Sequence, residues 1–169
     1  WATQVDNVDD LAEALTMGFK IAVSGRPGPV AIALPEDVLR CTTEVTDVSP
    51  LPVERATPTP QEIDTIIAEL GKAERPVIIA GGGIKNTAGH AAATSLAEAV
   101  GCPVVTSPGH GDAIPHGHPL NGGQMGPRGN VVASRMVKEA DVIVALGTRL
   151  GFNSTFYSYD NVNRDAKII

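Results

Sequence analysis

Arg75-Pro76-Val77-Ile78-Ile79-Ala80-Gly81-Gly82-Gly83-Ile84 is the stretch that decides the fold. A short apolar run between a proline and three glycines predicts a buried strand, 76–80, entering a tight loop. Behind the loop, Asn86 and Thr87 carry side chains able to cap a helix that runs on through Ala91 to Val100. Strand, glycine loop and helix form the unit with which α/β proteins hold phosphate-bearing ligands. Glycine lets backbone N–H groups approach the anion, and the helix N-terminus adds partial positive charge.

Downstream the same alternation continues. A strand is predicted at 103–106, a glycine-rich stretch at 108–129, a helix at 130–139 and a strand at 141–146 ending in Gly147-Thr148-Arg149. A last strand begins near Ala166. Upstream, Thr59-Pro60-Gln61-Glu62 reads as a capping box with proline at the first helical position. It opens a helix over 60–73 with Ile63, Ile66, Ile67 and Leu70 as its apolar stripe. Alternating helices and apolar strands imply an α/β fold, a parallel Rossmann-like sheet with helices on both faces. Such sheets bind ligands outside the carboxyl ends of their strands, so Gly81–Gly83, Ser107–Gly111 and Gly147–Arg149 are expected to line one crevice.

The region before residue 59 reads differently. Residues 1–24 suggest a helix, with Val8, Leu11, Leu15, Phe19 and Ala22 spaced by threes and fours on one buried face and Gly25 at its end. After the turn Gly25-Arg26-Pro27-Gly28-Pro29 comes a strand at 30–34. One helix and one strand do not bury both their faces, so this helix–strand piece is expected to be the remnant of another α/β domain. Four prolines between 50 and 60, with no period, mark an extended linker. The expected organisation is 1–40, a linker at 41–58, and 59–169.

Composition excludes several classes. A net charge of −6 argues against sequence-independent nucleic-acid binding, which rests on many Lys and Arg contacts to phosphate. No apolar run reaches the ~20 residues of a membrane-spanning helix, and no basic segment precedes an apolar one as in an export signal. A cytoplasmic protein without membrane or nucleic-acid partners is expected. Cys41 and Cys102 fit no CxxC spacing and read as reduced thiols.

Among motifs, Gly81–Gly83 does not meet the G-x-G-x-x-G dinucleotide pattern, because Asn86 stands at the sixth position. The next strand ends in Thr106-Ser107 with no acidic residue for a ribose. Tight packing of the turn is the other reading of these glycines. Arg149 follows a buried strand in Gly147-Thr148-Arg149, and Arg26 and Arg128 each stand between glycine and proline; all three read either as anion contacts or as surface arginines. His116 and His118 lack a third ligand nearby, and Ser107, His110 and Asp112 lack the nucleophile-elbow pattern. Neither set is read as a metal or hydrolase site.

Taken together, these motifs resemble the acetolactate synthase-like thiamine diphosphate enzymes. Ser24 to Val30 and Leu34-Pro35-Glu36-Asp37-Val38 resemble the end of their pyrimidine-binding domain. Arg75 to Gly83, Gly109–Pro115, Gly126-Pro127-Arg128-Gly129 and Ala145 to Arg149 resemble their central domain. His110-Gly111-Asp112-Ala113-Ile114-Pro115, His118-Pro119-Leu120 and Thr148-Arg149-Leu150 look closer to the sulfoacetaldehyde acetyltransferase branch.

The resemblance implies FAD or ADP in the central domain, contacted by Arg26, Gly81, Gly82, Gly83, Ser107, Gly126, Gly147 and Arg149. The chain departs from acetolactate synthases at Leu150-Gly151-Phe152-Asn153 and at Pro127-Arg128. It also implies a parent enzyme, a homo-oligomer (dimer or tetramer), that uses thiamine diphosphate and Mg²⁺. In such an enzyme the thiamine carbanion attacks a 2-oxo acid or aldehyde and passes a two-carbon fragment to an acceptor. The activating glutamate and the Gly-Asp-Gly motif for Mg²⁺ belong to other domains of that family, and Gly111-Asp112-Ala113 lacks the third glycine. No catalytic residue is therefore expected here. The chain is expected to be inactive alone, truncated within its central domain, with the missing domains of the parent as its partners. The alternative is a stand-alone FAD- or ADP-binding module with strand 30–34 inside the same sheet.

Overall fold

A computed structural model describes residues 1–46, 48–85 and 88–169. The chain divides into two compact units, Trp1–Thr57 and Pro58–Ile169.

The first unit holds a two-stranded parallel sheet of β1 (Ala2–Gln4) and β2 (Ala31–Ala33), bridged by α1 (Leu11–Val23) and followed by α2 (Glu36–Leu39). The start of the chain therefore corrects the reading of 1–24 as helix. Residues 2–4 are a strand, and Asn7 caps a 3-10 turn at Val8–Asp10 before α1 begins. The expected buried face is also corrected. Gly18 is the buried residue of α1, because the helix crosses the sheet there, and a Cβ on Gly18 would lie 2.8 Å from the Ile32 side chain. Leu15 and Phe19 stay 39% and 75% exposed. With Leu11 and Val23 they border an open groove of about 710 Å³ that Val45, Val48, Leu51 and Val53 also line. β2 pairs with β1 in a sheet of its own, so strand 30–34 does not sit inside the larger sheet as the stand-alone alternative required.

The second unit contains α3 (Pro60–Lys72), β3 (Pro76–Ala80), α4 (Gly89–Val100), β4 (Val104–Thr106), β5 (Asn121–Gln124), α5 (Val131–Glu139), β6 (Val142–Leu146), α6 (Phe152–Thr155) and β7 (Lys167–Ile168). Its sheet is parallel throughout with order β5-β4-β3-β6-β7, so β3 is central. Successive side chains of a strand point to opposite faces, and β3 uses both. Val77 and Ile79 join Met125, Ala133, Val137 and Ile143 on one side. Ile78 and Ala80 join Ala97, Cys102, Ile114 and Val144 on the other. The α/β architecture with helices on both faces agrees with the sequence reading.

Three details differ from expectation. β5 lies inside the glycine-rich stretch 108–129, where no strand was expected. Asn-Gly-Gly-Gln has little strand propensity, and pairing with β4 forms it, with Gly122 tight against Met136 and Val105. The short α6 was not anticipated. The stripe of α3 is only partly covered, with Ile63 and Ile67 at 41% and 62% exposed. The proposed caps Asn86 and Thr87 lie outside the described residues. The capping box of α3 forms as expected, with Thr59 and Glu62 bonded reciprocally.

At the amino edge of the sheet one carboxylate ties several elements. Asp141 accepts from the Glu74 N–H at 2.6 Å and the Arg75 N–H at 2.9 Å, while the Arg75 Nε donates to Glu139 O. The Asp141 carbonyl accepts from Lys167 N at the start of β7. The Glu74 amide, more than any other group, holds the Asp141 carboxyl below its ordinary range. A depressed carboxylate stabilises the fold fully above its unfolded-state pKa and loses that contribution as pH falls through the folded one. Asp141→Ala is thus expected to cost roughly 1 kcal/mol at neutral pH. In urea denaturation the gap from wild type should close as pH falls below about 4; a gap independent of pH would contradict this role.

Candidate functional site

The carboxyl ends of β4, β3 and β6 are neighbours, so their loops meet at one edge. The loop after β3 and the loop after β6 interlock. The Gly81 N–H donates to Leu146 O at 2.9 Å and the Gly83 N–H to Gly147 O at 2.8 Å. A Cβ on Gly81 would lie 2.6 Å from Gly147 O, and one on Gly83 would lie 2.7 Å from Gly147 Cα. Gly147 sits at φ +58 with its own Cβ position 2.6 Å from Ile84 N. Only glycine permits this left-handed backbone together with such an approach.

On the other side of β3, the loop after β4 folds over. Ser107 is buried, its N–H and hydroxyl both donating to Ala80 O, at 2.9 and 3.2 Å. The His110 ring lies over Gly82, where an added Cβ would sit 2.7 Å from its Cε1. Lys85 Nζ meets Asp112 Oδ1 at 2.7 Å and Gly109 O at 3.5 Å, tying this loop to the one after β3. The hydrogen bond from the Lys85 ammonium holds the Asp112 carboxyl below its usual range. Gly109 N donates to the Gln124 side chain at 3.4 Å. Gly126, at φ +92, packs so closely on Asn153 O at α6 that a side chain has no room.

Gly81, Gly82, Gly83, Ser107, Gly126, Gly147 and Arg149 thus all belong to the loops at this edge. Gly81, Gly83, Gly126 and Gly147 stand where backbone meets backbone. The Ser107 hydroxyl is spent on the main chain. Arg149 is exposed, as is Arg128. Arg26 is exposed on the turn of the first unit. His116 and His118 make no metal pair: His118 Nε2 faces Glu98 at 3.3 Å and its Nδ1 accepts from Leu120 N. The described residues contain no group of three or more His, Cys, Asp or Glu able to hold a metal ion. Sequence reasoning missed the Lys85–Asp112 pair and the seat of His110, since 24 or more residues separate the partners. It also missed the exposed aromatic cluster after Arg149, where Phe152 stacks edge-on against Phe156 at 5.1 Å.

A parallel sheet covered on both faces, with three close-packed glycine loops at its carboxyl edge, defines a Rossmann-like α/β domain. The chain belongs to the thiamine pyrophosphate enzymes: residues 63–169 match the family described as "thiamine pyrophosphate enzyme, central domain". It is 34% identical over 171 residues to the acetolactate synthase large subunit of Corynebacterium glutamicum, covering 98% of this chain and 27% of that protein. It is 35% identical over 144 residues to the sulfoacetaldehyde acetyltransferase of Castellaniella defragrans, covering 84% and 24%. A probable acetolactate synthase large subunit of Methanocaldococcus jannaschii is 34% identical over 154 residues, covering 86% and 26%. The chain spans about a quarter of the length of these relatives.

Family membership implies thiamine diphosphate. The described residues here do not fit its diphosphate and metal: the Asp112 carboxylate is engaged by Lys85, and Ala113 stands where a third glycine is needed.

Substitution along the glycine loop separates these roles. Gly81→Ala and Gly83→Ala drive a methyl into backbone and are each expected to cost roughly 3 kcal/mol. Gly82→Ala meets only the His110 ring, a side chain rather than backbone, and should cost less than about 1 kcal/mol. Thermal denaturation of the three variants checks this order; equal losses would refute it.

Proposed function

We propose that this chain is the structural centre of a thiamine diphosphate-dependent enzyme that acts on a 2-oxo acid or aldehyde, by acetolactate synthase-like carbon–carbon bond formation or by acetyl transfer. In this reading residues 1–40 are the end of a pyrimidine-binding domain, 41–58 a linker and 59–169 the central domain. Other parts of the enzyme supply thiamine diphosphate and Mg²⁺, and the chain by itself does not turn over substrate. The whole enzyme is proposed to be a cytoplasmic homo-oligomer, dimer or tetramer. The identities to acetolactate synthases and to a sulfoacetaldehyde acetyltransferase over most of the chain support the reaction class. Among the described residues no helix is long and apolar enough to cross a membrane.

The chain's own contribution is proposed to be a nucleotide crevice for FAD or ADP at the carboxyl edge of the sheet. One observation carries it: glycine-bearing loops from three adjacent strands meet there, with the Arg149 guanidinium exposed beside them. Arg149 offers a planar fork of donors to a diphosphate. Gly81, Gly83, Gly126 and Gly147 shape the crevice, Ser107 fixes the loop after β4, and Gly82 leaves bare backbone at its floor. Arg26 is proposed as an anion contact on the same family resemblance.

Titration of the chain with ADP and with FAD tests the crevice. Binding is expected to raise Tm, and FAD fluorescence should be quenched. Arg149→Ala is expected to weaken binding by about ten-fold, the loss of one charge-assisted contact. No response to either ligand would sink this reading.

A further inference from the structure

His110 has a position that a purely structural loop does not require. Its ring occupies the space a Gly82 side chain would take, and Gly82 is the one member of the glycine triplet whose added Cβ would meet side-chain atoms alone. The His110 main chain is fixed, its N–H donating to Ser107 O at 3.1 Å and its carbonyl accepting from Ala113 N at 3.1 Å. The ring is not fixed in the same way. Its Nδ1 is buried and has no hydrogen-bond partner among the described residues. A buried imidazole nitrogen without a partner is an unfavourable arrangement, relieved when the ring swings out to water. On either side of His110 in sequence, Asp112 and Gly109 are held by Lys85, which ties this loop to the one after β3.

We infer that His110 is a displaceable plug in the crevice, latched by Lys85 and Asp112, and that the diphosphate of an ADP-type ligand enters by lifting it off Gly82. This rests on the nucleotide crevice proposed above. With the ring gone, Gly82 presents backbone with no side chain in the way, the condition under which a phosphate oxygen approaches main-chain N–H groups. Lys85 stands within reach as a cation when its loop lifts. The plug lowers apparent affinity by the fraction of molecules in which it is closed.

Isothermal titration with ADP tests the plug on the whole chain, with Tm and circular dichroism confirming that each variant folds. His110→Ala is expected to bind ADP roughly ten-fold more tightly than wild type, as when a closed state of about 90% occupancy is removed. Gly82→Ala, which evicts the ring but fills the space beneath it, is expected to show no gain. Equal affinities in wild type and His110→Ala would overturn the plug while leaving the crevice standing. Weaker binding by His110→Ala would make the ring a ligand contact and also overturn it. Binding by neither protein would remove the crevice reading and the plug together.

Discussion

The second unit depends on how closely two neighbouring strands can be brought together at their carboxyl ends. β3 and β6 are paired along their whole length, from Pro76 with Val142 to Ala80 with Leu146. Beyond the last pair, the ladder is continued by Gly81 onto Leu146 and Gly83 onto Gly147. No side chain fits between these segments. The interlock keeps buried backbone groups paired where the strands end, which buried polar groups require. It also turns the chain sharply enough for α4 to return over the sheet. At the opposite edge Asp141 performs the matching task, gathering the starts of β3, β6 and β7 with hydrogen bonds to backbone. Together these two clamps set the register of the central strands.

This geometry changes what the glycine triplet means. In a phosphate-binding loop the N–H groups point away from the protein toward an anion. Here the Gly81 and Gly83 N–H groups point into the neighbouring strand end, and Ile84 N and Lys85 N close the 3-10 turn onto Gly81 O and Gly82 O. The triplet therefore works first as packing. The nucleotide proposed for this edge would rely on what the interlock leaves over: Gly82 beneath His110, the Lys85 cation and the exposed Arg149. Lys85 pairs with Asp112 across the two loops, while Arg149 is left exposed.

Much of the fold was legible because the sheet is buried on both faces. Strands 76–80 and 141–146 are apolar runs with no alternative use, and their limits differ from the observed ones by at most a residue. Thr59-Pro60-Gln61-Glu62 announced α3 through local chemistry alone, and both capping bonds form. What could not be read is tertiary in origin. Asn121–Gln124 is a strand because β4 offers it a free edge. Residues 2–4 are a strand because Ala31–Ala33 pairs with them. The stripe of α1 misled because helical periodicity reports an apolar face, while the residue that meets the sheet is the one small enough to do so, Gly18. The site was legible as a set of glycines after adjacent strands. Their division between backbone packing and an open floor was not, since it depends on which loop stands opposite each glycine.

Amide hydrogen exchange on the uniformly ¹⁵N-labelled chain addresses the interlock most directly. If the loops after β3 and β6 are locked as described, the Gly81 and Gly83 amides will exchange as slowly as that of Ile79 in the middle of β3, through opening of the whole unit. They will do so without any added ligand. Exchange of those two amides at the fast rate of the open Gly111 and Gly117 positions would show that the loop is loose until something binds, and the account would fail.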